Sequence, residues 1–62
     1  MALTKSQQNA VGRAKNQLQE QQLNGDTESA HGAADHILCQ LLVELGLEDI
    51  VDEYDKINKW YA

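Results

Sequence analysis

The sequence has little of what defines several large classes of protein. Its 62 residues contain one cysteine, no proline and no phenylalanine. One cysteine cannot form an internal disulfide, and it leaves no cysteine pair for a zinc finger. No apolar run approaches the roughly 18 residues of a membrane-spanning helix, and no basic segment is followed by the apolar stretch of a signal peptide. We therefore expect a soluble, cytoplasmic protein that does not contact membranes.

Positive charge is also scarce. Five Lys and Arg residues stand against ten Asp and Glu residues, which gives a formal net charge of −5. The imbalance is uneven, because residues 1–23 carry three bases and one acid, a balance of +2, whereas residues 24–62 carry nine acids and two bases, a balance of −7. Without a basic patch interleaved with aromatic residues, direct binding of nucleic acid is not expected.

The residues that are abundant, Ala, Leu, Gln and Glu, favour helices. The most apolar stretch is Ala30 to Leu45, and at 100° per residue it carries one stripe: Ala30, Ala34, Ile37, Leu41 and Leu45. Leu38 and Leu42 widen this stripe, while Cys39 and Val43 continue it around the helix. Such a helix needs neighbours on more than one side.

Capping and turn signals predict three helices, at about residues 5–23, 27–45 and 48–60. Thr4 and Gln7 have the spacing of a capping box. Asn24-Gly25-Asp26 predicts a turn, in which Gly25 suits a left-handed conformation and Asp26 or Thr27 caps the second helix. Gly46 is placed to close that helix. The sequence thus predicts an all-α fold that forms one three-helix domain over residues 1–62. The second and third helices form a hairpin, and a weaker N-terminal helix packs across it.

The outer helices are less apolar than the central one. We expect the first to dock through Val11, Ala14 and Leu18. The third has a narrow stripe with Val51 beside it: Leu47, Ile50, Tyr54, Ile57 and Tyr61. Acid-before-base spacing predicts ion pairs between Asp52 and Lys56 and between Asp55 and Lys59.

Side chains of metal-ligand type cluster on the central helix: His31, Asp35, His36 and Cys39. They lie one turn apart or less, but no second segment supplies further ligands at a known spacing. A hydrogen bond between residues four apart is the more common explanation for a histidine and an aspartate placed like His31 and Asp35. No base is paired with Cys39 by a recognisable motif. We expect no catalytic residues, no metal site and no cofactor.

One resemblance covers about half the chain. It rests on His31, Ala34-Asp35, Leu45-Gly46, Tyr54 and the closing Lys59-Trp60-Tyr61-Ala62, which together resemble the ends of small, uncharacterised phage or prophage proteins. The resemblance implies an accessory role and brings no catalytic motif.

Two functional hypotheses follow. The first is a small non-enzymatic module that binds another protein and forms a homodimer, because the other two helices offer too little apolar surface to cover the central one. Its candidate interface residues are Leu38, Cys39, Leu42, Val43 and Trp60. Trp60 either packs against the first helix or anchors a partner.

The second hypothesis is an inhibitor that imitates the phosphate backbone of DNA and blocks a host nuclease or another nucleic-acid-binding protein. Its candidate acidic face consists of Glu48, Asp49, Asp52 and Glu53. Solvated helix faces are the simpler explanation of these charges.

Overall fold

The computed structural model describes residues 2–57 as an all-α domain. It contains α1 (Lys5–Gln21), α2 (Thr27–Glu44) and α3 (Glu48–Asp55). The predicted fold class is confirmed: the described part of the chain forms three helices and no strand. The bounds differ from the prediction by one or two residues, except at the end of α3.

The start of α1 and the turn after it follow the predicted capping signals. The Thr4 side chain accepts a hydrogen bond from the backbone N–H of Gln7, and the Thr4 N–H donates to the Gln7 side chain at 2.9 Å. The helix ends at Gln21, and Leu23 beyond it is 89% exposed. Asp26 is the N-cap of α2, accepting from the Ser29 N–H. Gly25 does not have the left-handed conformation that its position suggested, because the turn is closed by the Asn24 side chain, which accepts from the Asp26 N–H.

The C-terminus of α2 is closed as the sequence predicts. Gly46 has φ +81°, the left-handed conformation that only glycine adopts without strain. The Leu47 N–H donates to the Leu42 carbonyl and the Gly46 N–H donates to the Val43 carbonyl, both at 2.9 Å. These two bonds are the Schellman motif. Because the motif turns the chain sharply, α3 begins at Glu48 and runs back along α2.

The third helix is shorter than predicted. It ends at Asp55, about five residues before the predicted end. A short helix persists only where it packs, and beyond Tyr54 it would run along the part of α2 that contains Gly32 and Ala33, which offer little apolar surface. Ile57 is 58% exposed. Lys56 pairs with Glu53 at 3.0 Å instead of with Asp52, and the predicted Asp55–Lys59 pair includes a residue outside the described range.

The first helix packs antiparallel to α2 and along more of its length than α3 does. The most buried residues of α1 are Ala10 and Ala14, which are 4% and 6% exposed, while Val11 and Leu18 are half-buried. Two small side chains one turn apart let the helix backbones approach closely. The helix predicted to be the weaker one is therefore the more extensively packed neighbour. Its closest contacts are made by Ala10 and by Ala14, which was predicted, while Val11 and Leu18 are only half-buried.

The third helix docks on the other side of α2 through Val51, which is 8% exposed. Ile50, predicted to lie in the packing stripe, is 57% exposed. Val51 and Tyr54 carry the contact because a helix of eight residues can turn only one narrow stripe toward α2. Ile50 lies about 100° from Val51 and is left on the surface.

The three helices form a single layer. On α2, Leu41 faces α1 and Cys39 faces α3, and at 100° per residue these directions differ by about 160°. The molecule measures 36 × 28 × 13 Å, so it is much thinner than it is wide. Its radius of gyration is 12.8 Å, whereas a compact domain of this length has about 10–11 Å. Among the described residues, α1 and α3 therefore leave both faces of α2 uncovered.

Two glycine substitutions test the helix ends and interiors separately. Gly46→Ala is expected to lower the free energy of unfolding by about 1–2 kcal/mol, because alanine is strained at positive φ. Gly12→Ala, inside α1, is expected to raise it by about 0.5–1 kcal/mol. A Cβ at either position meets no atom within 4 Å, so only backbone conformation separates the two variants. Urea unfolding measures both, and equal effects would contradict the assignment of Gly46 as the cap.

Candidate functional site

The layer has one apolar face, which the three helices build together. Leu38 of α2 points midway between the directions of α1 and α3, and it is 49% exposed. We define the apolar face as the residues on this side: Val11 and Leu18 of α1, Leu38 and Leu42 of α2, and Ile50 and Tyr54 of α3. Between α2 and α3 these side chains form a groove of about 230 Å³, with Cys39 and Val51 in its lining. Apart from Asp35, every residue that lines this groove is apolar, aromatic or sulfur-bearing.

The opposite side of the layer is polar, and we call it the polar face. Its groove between α2 and α3 is lined by His36, Gln40, Val43 and Asp55, among others. Between α1 and α2 the same side carries Arg13 and Glu44, which form an ion pair at 3.7 Å with both side chains largely exposed. An exposed pair of this length contributes little stability. The polar face therefore exposes side chains that interact favourably with water.

A hydrogen bond between side chains joins α3 to α2 between the two faces. The Tyr54 hydroxyl donates to Asp35 Oδ1 in a partly buried position. Asp35, Cys39 and Val51 line both the apolar and the polar groove, so they form the wall between them. This arrangement holds the ring of Tyr54 on the apolar face and directs its hydroxyl toward α2.

The candidate interface residues do not all lie together. Leu38 and Leu42 share the apolar groove and Cys39 lies at its base, whereas Val43 lines the groove of the polar face. Val43 is 42% exposed there. Trp60 lies outside the described residues. The residues that the sequence predicted as one continuous interface are thus divided between the two faces of the layer.

The candidate acidic face is fully solvent-facing. Glu48, Asp49, Asp52 and Glu53 are all exposed, as is Asp55. Glu48 and Asp49 lie in the first turn of α3, where negative charge interacts favourably with the helix dipole. Glu53 is paired with Lys56. Part of the acidic charge therefore has a structural role within α3.

The metal-type residues of α2 are dispersed by the helix. His31 lines a groove against α1, His36 lies on the polar face, and Asp35 and Cys39 lie beside α3. Within residues 2–57, no three His, Cys, Asp or Glu side chains converge in a possible metal site. None of the helices in this range is long and apolar enough to cross a membrane.

Two features of the site were not predicted from the sequence. The Tyr54–Asp35 hydrogen bond joins residues 19 positions apart, and no local pattern selects that partner. Ile50 was placed in the core, and it contributes to the apolar face instead. A usable signal was the excess of apolar residues on α3, which has both Ile50 and Val51 although one narrow stripe can bury only one of them.

No family model, curated protein or solved structure matches the chain.

Proposed function

We propose that this protein is a small non-enzymatic protein-interaction module that binds its partner through the apolar face. The observation that carries the proposal is the exposure of large apolar side chains on one side of a single-layer domain. Leu38 and Ile50 are 49% and 57% exposed and lie on adjacent helices. Contiguous exposed apolar surface is unusual on a monomeric protein and marks interaction sites.

The small core supports the same proposal. Within the described residues only Ala10, Ala14 and Val51 are buried, and no large side chain is completely buried. A core of this size supplies little of the stability that a folded domain needs. Contact with another protein would bury the apolar face and supplement the core. The resemblance to small phage proteins is consistent with an accessory role of this kind.

A second candidate function is supported by the charge of α3. Five of its eight residues are acidic, and all five are exposed. Such a surface suits a basic partner, including a nucleic-acid-binding protein whose site the carboxylates would occupy in place of phosphates. The two candidates use different surfaces, so they are experimentally separable.

Site-specific photocrosslinking in cells that produce the protein tests both. A photoreactive amino acid is placed at residue 38 on the apolar face, at residue 43 on the polar face, or at residue 52 on the acidic surface. We expect protein adducts from residue 38 and few from residue 43, which is similarly exposed. No adduct at residue 38 would contradict the proposed function. An adduct at residue 52 alone, which is lost when the crosslinking is repeated in lysate at raised salt, would favour the acidic inhibitor, because surface electrostatics weaken with ionic strength.

A further inference from the structure

We propose that the partner on the apolar face is a second copy of this chain, related by a two-fold axis parallel to α2, so that the two α2 helices run parallel. This inference rests on the proposed function, since it names the occupant of the same surface. It adds the identity of the partner and the orientation in which it binds.

The chain has a large surface for its mass. Its surface is 4861 Å², whereas a compact monomer of 6.9 kDa exposes about 4,000 Å². An open single layer has such a surface, and stacking a second copy on the apolar face would reduce it.

The architecture favours a second layer of the same kind. Domains bury their apolar surfaces between at least two packed layers of secondary structure. Residues 2–57 provide one layer, and no residue of α2 is buried in it. Two apolar faces stacked through a two-fold axis give a two-layer bundle, in which the same patch serves both copies.

The charges on α1 and α3 favour one of the two ways in which the two copies can stack. An axis parallel to α2 places α1 of one copy over α3 of the other, whereas an axis across α2 places α3 over α3. The α1 helix carries three bases and one acid, while α3 carries five acids and no base. Of these acids, Asp49 and Glu53 lie at the outer edge of α3, so stacking α3 on α3 would bring four carboxylates together. The parallel arrangement instead places this acidic edge against the side of α1 that carries Lys15.

Two side-chain contacts within the chain show the level at which these charges meet. The ion pair between Arg13 and Glu44 places these residues side by side, which puts Lys15 at about the level of Leu42. The Tyr54–Asp35 hydrogen bond sets α3 against α2, which puts Asp49 at about the level of Gln40. Two residues correspond to about 3 Å along a helix. In the parallel dimer, Lys15 therefore lies beside the partner's Asp49.

Lys15 and Asp49 both lie at the rim of the apolar face, as this pairing requires. Lys15 lies one turn before Leu18 on the same side of α1, and Asp49 lies on the outer edge of α3. Both residues are exposed. Glu53, the other carboxylate on this edge, is already paired with Lys56. Asp49 is the better partner for the lysine.

A charge-swap cycle followed by sedimentation equilibrium tests the arrangement. Lys15→Glu and Asp49→Lys are each expected to raise the dimer dissociation constant about fivefold at low salt, because each alters two equivalent pairs. The double variant is expected to return to within about twofold of the original value. Asp52→Lys is the matched control, since Asp52 lies on the polar side of α3 and is not expected to rescue Lys15→Glu. Far-ultraviolet circular dichroism checks that each variant is folded.

The possible results distinguish failure of the dimer proposal from failure of the proposed function. A dimer that Asp49→Lys alone strengthens would place α3 against α3 and overturn the parallel arrangement. A wild-type chain that stays monomeric at every concentration would overturn the second copy as partner. If residue 38 then crosslinks to a different protein, the proposed function stands without this inference; if it crosslinks to none, both fail.

Discussion

Leu38→Glu is expected to abolish self-association, with a dissociation constant raised at least about 100-fold. The substitution removes a leucine from each side of the interface, where complete burial of one contributes about 1.5–3 kcal/mol. It also places a carboxylate in an apolar contact, where an unpaired charge is costly. The variant should unfold at a lower temperature that no longer rises with protein concentration.

Val43→Glu is the matched control for this prediction. Val43 and Leu38 lie on the same helix and are 42% and 49% exposed, but on opposite faces of the layer. The control should retain a melting temperature that depends on concentration. Thermal melts at several concentrations measure both variants. Equal behaviour of the two would mean that the difference between the faces has no functional consequence.

Ala14→Leu is expected to lower the free energy of unfolding by about 1–3 kcal/mol, the usual cost of inserting methylene groups into a packed contact. Ala14 is 6% exposed at the point where α1 approaches α2. A leucine there forces the two helices apart, and it separates Arg13 from Glu44. This is the second-largest effect expected of a single substitution.

Asn16→Leu provides the control for overpacking, because Asn16 is exposed on the same helix. It should change the free energy of unfolding by less than about 0.5 kcal/mol. Urea unfolding of both variants at one protein concentration makes the comparison. An Ala14→Leu variant as stable as Asn16→Leu would show that α1 does not dock closely through its alanines.

The sequence predicted the helix ends well because capping is a local interaction. The Thr4–Gln7 capping box, the Asp26 N-cap and the Gly46 C-cap each depend on residues within five positions of one another. Gly25 and the end of α3 are the exceptions. Asparagine and glycine both suit the turn at Gly25, and only the structure shows that the Asn24 side chain closes it.

The packing of the helices was less predictable, because it depends on which side of α2 each neighbour occupies. Periodicity identified Leu38, Cys39, Leu42 and Val43 as surface beyond the main stripe, but it did not separate them into two faces. That separation requires the position of α3, which depends on the Schellman turn and on the Tyr54–Asp35 hydrogen bond. Counting large apolar side chains also undervalued α1, since close packing through Ala10 and Ala14 needs none.

Sedimentation equilibrium of the unmodified chain over a wide concentration range tests the central claim most directly. The account predicts a reversible transition from the 6.9 kDa chain to a species of twice that mass as the concentration rises. A mass of 6.9 kDa at every concentration, with a melting temperature independent of concentration, would contradict it.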